Sequence, residues 1–180
     1  MIQHWILKRY KLSLSFLLPV WLLSSGCGLF FGNNEIDTKN HDYDIYRLDR
    51  DESPKWKMIS NAEESGGDKA FENTSNGAVI SLNSVCNEPR DLSHHQLLNS
   101  LLLGLELESE PVTQTIVVDG EQCLEGVVST KSRSGKKLKI KAVVLKKANC
   151  TFDFMFIASP SAYKKSEESF QRFLRGFHVR

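Results

Sequence analysis

A series of turn signals constrains this chain more than anything else in it. Asn76-Gly77 sits between the apolar segments Lys69 to Asn73 and Gly77 to Cys86, and Asp119-Gly120 between Thr113 to Val118 and Glu121 to Thr130. Ser132 to Lys136 and Lys147-Ala148-Asn149 then punctuate the strands Lys137 to Lys146 and Cys150 to Ser159. Asn-Gly and Asp-Gly accept the positive φ angles that a tight hairpin demands, so these segments read as hairpin-linked strands. Consecutive hairpins dictate an antiparallel sheet. Lys55 to Ile59 reads as one further short strand.

Two segments carry helical periodicity instead. Leu92 to Leu105, after Asp91 as a cap, places Leu97, Leu98, Leu101, Leu102 and Leu105 on one stripe. Ser161 to Arg175 aligns Tyr163, Phe170, Phe173 and Leu174 and stops at Gly176. In strand 138 to 145, Leu138, Ile140, Ala142 and Val144 share one face, while Lys139 and Lys141 give way to Val143 and Leu145 on the other. A strand apolar on both faces needs cover on both. The expected fold is therefore α+β, an antiparallel sheet flanked by helices in three layers. With 180 residues, 41% hydrophobic and 25% charged, the chain suffices for one such domain and a tail.

The N-terminus reads differently. Lys8, Arg9 and Lys11 precede an apolar stretch, Leu12 to Leu23, and then the small residues Ser24, Ser25 and Gly26 before Cys27. That is the layout of an export signal. At about 12 residues the stretch is shorter than the roughly 20 a membrane-spanning helix needs, and lengthening it would bury those three cations in hydrocarbon. Ser24-Ser25-Gly26-Cys27 resembles the lipobox of bacterial lipoprotein precursors, departing at the first position, where that family more often has Leu. The resemblance implies cleavage after residue 26, acylation of Cys27 and stable anchoring by more than one acyl chain. Gly28, in place of Asp, resembles sorting to the outer rather than the inner membrane. Residues 27–53, polar and acidic, read as a flexible linker of roughly 27 Å reach. Tyr43, Ile45 and Leu48 are expected to add a short strand or turn to the domain, residues 54–180. The acidic residues Asp42, Asp44, Asp49, Asp51 and Glu52 do not follow calcium-loop spacing.

The order of strands and helices, with Pro54 and Trp56 at the domain start, AVISLNSVC at 78–86, VVDGEQCLEG at 118–126, VVLKKANCTFDFMFIASP at 143–160 and SFQRFLRGF at 169–177, resembles the PsbP-like fold. This fold is shared by the PsbP extrinsic subunit of photosystem II, a Ran-binding nuclear protein and DcrB-type periplasmic lipoproteins. The resemblance implies a fold more than a function.

With Cys27 assigned to lipid, Cys86, Cys123 and Cys150 leave three possible pairings in an oxidising compartment, or three buried thiols. Strand parity points Cys86 and Cys150 into the core. The resemblance to small lipoproteins implies the pairing Cys86 to Cys150, with Cys123 left over.

Chemistry is sparse. Adjacent His94 and His95 diverge on a helix and cannot share a metal as an i, i+4 pair would. Ser65-Gly66-Gly67-Asp68 lacks the lysine of a phosphate loop, and there is no Gly-x-Ser-x-Gly elbow, Cys-x-x-Cys or paired carboxylate. Neither a metal, a cofactor nor an enzymatic activity is expected. Between Lys131 and Lys147 no acidic residue interrupts the run of cations, so Lys136, Lys137, Lys139 and Lys141 form a candidate basic patch for anionic headgroups or an acidic partner. The chain as a whole has net charge +1 and no basic excess that would mark nucleic-acid binding. These features point to a lipid-anchored envelope protein that engages a protein partner at the membrane, or alternatively binds a small ligand or lipid between sheet and helix.

Overall fold

The computed structural model describes residues 43–60, 67–87 and 91–180. The expected export signal, Cys27 and most of the expected linker lie outside these residues. In chain order the elements are β1 (Tyr43–Asp44), α1 (Leu48–Asp51), β2 (Trp56–Met58), β3 (Lys69–Asn73), β4 (Val79–Cys86), α2 (His94–Leu102), β5 (Val112–Val118), β6 (Glu121–Lys131), β7 (Lys137–Lys147), β8 (Cys150–Ala158), α3 (Pro160–Arg175) and β9 (His178–Val179). Strands β2 to β8 form one sheet in the order β2-β3-β4-β8-β7-β6-β5, every neighbouring pair antiparallel.

The turns explain much of this order. Asp119 (φ 50°) and Gly120 (φ 81°) make a two-residue loop with both residues left-handed, as do Ala148 (φ 51°) and Asn149 (φ 59°). The β3–β4 connection is longer than its Asn-Gly pair suggested: only Gly77 (φ 71°) is left-handed, and the Gly77 N–H closes the loop onto Asn73 O.

Helices cover both faces, making the three-layer α+β arrangement. Phe71, Ile80, Leu82, Val143, Leu145, Phe152, Phe154 and Phe156 pack with Phe170, Phe173 and Leu174 of α3 on one side. Leu124, Val128, Ile140, Ala142, Val144 and Met155 pack with Leu97, Leu98 and Leu102 of α2 on the other. Ser93, not Asp91, caps α2: its hydroxyl accepts from the Gln96 N–H while the Gln96 side chain accepts from the Ser93 N–H. A Cβ at Gly126 would lie 2.7 Å from Leu98 Cδ2, so the missing side chain lets α2 settle on β6.

The domain starts earlier than residue 54. β1 pairs with β9, Leu48 is fully buried, and Glu52 accepts from Ser169 Oγ (2.7 Å) and Arg172 Nε (2.9 Å) of α3. Residues 43–53, read as the end of a linker to which Tyr43, Ile45 and Leu48 add a short strand or turn, do carry that strand at Tyr43 and a turn of helix at Leu48, and the whole segment is held by the C-terminal helix and tail. Gly176 ends α3 with an ordinary φ of −91°; its role is clearance, since a Cβ there would stand 2.7 Å from Tyr46 Cβ and 3.0 Å from Tyr46 N.

Candidate functional site

The helix α3 lies mainly over β8 and β7, so that Val118 and Cys123 on the same face of β5 and β6 are buried while Gln114 further along β5 is exposed. The step from the helix to this outer part of the sheet is a cleft of about 370 Å³. Gln114, Ile116 and Val118 from β5, Glu125 from β6 and Lys141 from β7 form its floor, and Gln171, Leu174 and Arg175 of α3 form its wall. The tight Asp119-Gly120 turn sets this floor, because it fixes Ile116 opposite Cys123 and Gln114 opposite Glu125 on one face.

Two of the floor groups are charges withdrawn from water. Glu125 is 3% exposed and Lys141 is 6% exposed. Gln114 Nε2 donates to Glu125 Oε1 at 2.7 Å. Lys141 Nζ donates to Glu167 Oε1 of α3 at 2.9 Å and stands 3.6 Å from Glu125 Oε2. One cation thus bridges two carboxylates, satisfying the requirement that buried charge be paired. Tyr163, beneath this cluster, has its hydroxyl pushed well above the usual range by burial and then by the charges of Glu167 and Glu125. Lys139 Nζ lies 4.4 Å from the centroid of the Tyr163 ring.

A second polar knot closes one end of the cleft. Asp119 accepts from Lys147 Nζ (2.7 Å) and the Val179 N–H (2.9 Å), and its other oxygen lies 2.7 Å from His178 Nδ1. Burial alone would raise the Asp119 carboxyl, yet these three partners outweigh it and hold it at about 2. Only its place in an Asp-Gly turn marked this residue in the sequence.

The candidate basic patch survives only at its tip. Lys136 and Lys137 are exposed at the β6–β7 tip, but Lys139 covers Tyr163 and Lys141 is buried in its ion pairs. Lys146 faces the opposite side, paired with Asp91 and donating to Leu92 O at 3.1 Å. A run unbroken in sequence is divided by strand alternation, and acids from other elements pair Lys131, Lys141, Lys146 and Lys147 while Lys136 and Lys137 stay exposed.

Cys86 and Cys150 oppose each other in the β4–β8 register, with Cα atoms 4.1 Å apart, and are joined as a disulfide. Cys123 is a free buried thiol that burial pushes up to about 11. It is thus the reverse of an activated nucleophile. Among the described residues, no group of three or more His, Cys, Asp or Glu is placed to hold a metal ion.

The fold is similar to that of LpqN, a protein involved in cell envelope biogenesis of Mycobacterium tuberculosis, with a TM-score of 0.56 and 11% identity over 78% of this chain and 84% of that one. The solution structure of cyanobacterial PsbP from Synechocystis sp. PCC 6803 aligns with a TM-score of 0.47 and 14% identity, covering 71% of this chain and 83% of that one. No family model matches the sequence. No curated protein matches it either.

Proposed function

We propose that this protein is a lipid-anchored component of the cell envelope that acts by binding, not by catalysis, and offers the cleft beside α3 to an envelope protein partner. Acylated Cys27 is the anchor in this reading, and Gly28 favours the outer membrane. The carrying observation is the cleft itself, a concave floor where Glu125 and Lys141 are nearly buried yet border open space. Such preorganised charge gives a partner orientation and specificity more than bulk affinity. The role of LpqN in cell envelope biogenesis supports the compartment. So does the Cys86–Cys150 disulfide, which persists in oxidising surroundings. Among the described residues no helix is long and apolar enough to cross a membrane.

A photoreactive amino acid in place of Gln171, on the cleft wall, tests the reading in intact cells. The expected product is one reproducible protein adduct that Glu125→Ala abolishes. Loss of every adduct at Gln171, with adducts at a distant exposed position unchanged, would overturn it.

The volume of the cleft favours a second reading, since about 370 Å³ falls in the range of small-molecule sites. A lipid or other small molecule that co-purifies with the full chain and is lost on Ile116→Trp would support it over a protein partner.

A further inference from the structure

The two edges of the seven-stranded sheet are built differently. β2, at one edge, is three residues long and carries the exposed Lys57, the usual guard against unwanted strand pairing. β5, at the other, runs seven residues as VTQTIVV without a charged side chain, and among the described residues no strand pairs beyond it. Val112 is 73% exposed and Val117 69% exposed. An uncharged, β-branched edge of this length is a template for another strand.

The turn at Asp119-Gly120 determines which backbone groups that template offers. A two-residue loop makes Val118 and Glu121 a hydrogen-bonded pair, so alternate positions, Ile116 and Gln114, also spend their N–H and C=O on β6. Thr113, Thr115 and Val117 therefore point theirs outward. Pro111, next in that outward series, has no N–H and ends the ladder.

We propose that β5 pairs antiparallel with β5 of a second copy of this chain, about a two-fold axis through Thr115. In this register Thr115 faces its own copy and Thr113 faces Val117, so all the outward-pointing groups of the strand find partners. On the α3 face Val112 falls against Val118 and Gln114 against Ile116. Registers shifted along the strand leave outward groups unpaired. No charge meets a like charge: Glu110 falls opposite Gly120 and Asp119 opposite Pro111, while Asp119 is already held by Lys147 and His178. The strand is thus complementary to itself, the condition for an isologous dimer. A second copy also covers Val112 and Val117, the two most exposed residues of the strand's apolar set. The pairing uses the backbone of the free β5 edge and rests on none of the cleft chemistry, although Gln114, Ile116 and Val118 also floor the cleft and a second copy would border it.

The register supplies the test. In a hydrogen-bonded antiparallel pair the Cα atoms are about 5.5 Å apart, within disulfide reach. Full-length Thr115→Cys in native membranes, mildly oxidised, is expected to give a band at about twice the monomer mass on a non-reducing gel. Thr113→Cys alone should stay monomeric, and co-expressed Thr113→Cys and Val117→Cys chains should cross-link. No more dimer from Thr115→Cys than from the wild type would overturn the proposal. So would equal cross-linking by Thr113→Cys alone, or an adduct of another mass, which would assign the edge to a different protein. Normal membrane yield and an intact Cys86–Cys150 disulfide in each variant show that the fold is kept.

Discussion

Lys141 and Glu125 meet diagonally across β6 and β7, Nζ 3.6 Å from Oε2, with less than a tenth of either side chain open to solvent. Neither is stable there alone. Removing one partner of a buried ion pair strands the other, a loss of about 3 kcal/mol at this site, where Glu167 remains half exposed. Lys141→Met, which keeps the aliphatic stem, should lower unfolding stability by about that amount in urea titrations. Lys141→Met with Glu125→Gln should recover most of it. A single-variant loss under about 0.5 kcal/mol would mean that water enters and satisfies Glu125.

The Cys86–Cys150 bridge closes a loop with a sequence separation of 64 residues. Constraining that loop in the unfolded chain stabilises the fold by about 4 kcal/mol at most. Reductant, or Cys86→Ala with Cys150→Ala, should therefore lower the midpoint of chemical unfolding substantially. An unchanged midpoint would show that packing around β4 and β8 suffices.

Asp119 predicts a pH dependence of definite sign. Its folded value, about 2, lies below the ordinary 3.8, so its contribution is present above the unfolded value and fades as pH falls from about 4 toward 2. Asp119→Asn, which still accepts the left-handed turn, should cost on the order of 1–2 kcal/mol at pH 7. The gap between variant and wild type should close near pH 2. A gap that persists there would assign the loss to the turn instead of the charge.

The glycines at the two helix contacts should respond unequally. Gly176→Ala meets the backbone of Tyr46, which cannot step aside without disturbing β1, whereas Gly126→Ala meets the tip of Leu98. The expected cost is about 1–3 kcal/mol for the first and less for the second, read from thermal unfolding. Equal losses would mean that the α2 face is as rigid as the Tyr46 contact.

Most of the sheet was legible because hairpins are local: Asp119-Gly120 and Ala148-Asn149 announce themselves within a few residues. What was legible only in part was long-range: Tyr43, Ile45 and Leu48 marked a short strand or turn but not its partners. Residues 43–53 contain one fully buried side chain, Leu48, and owe their order to pairing with residues 178–179 and to Arg172 and Ser169. No pattern within the segment reports partners more than 100 positions away. Lys141 looked like an exposed member of a cationic run because Glu125 and Glu167 lie on other elements, although the shared parity of Lys141 with Val143 and Leu145 hinted at burial. The cleft was anticipated only as a space between sheet and helix; its floor needs the register of β5, β6 and β7 together.

The β1–β9 ladder joins the first and last described strands, and Arg180 pairs with Asp44 beside it. Its consequence is mechanical. A pull transmitted along the chain into residue 43 loads this two-residue ladder together with the Tyr43 side chain, which packs on Phe152 of β8 and on Phe177 and donates to Asp68 Oδ2 at 3.1 Å. The ladder is the shortest among the described strands, and behind it Leu48 and the Glu52–Arg172 pair hold the next length of chain. A protein tethered from its N-terminal side would therefore pass a load at that corner into the aromatic core and, through His178 and Val179, to the Asp119 end of the cleft.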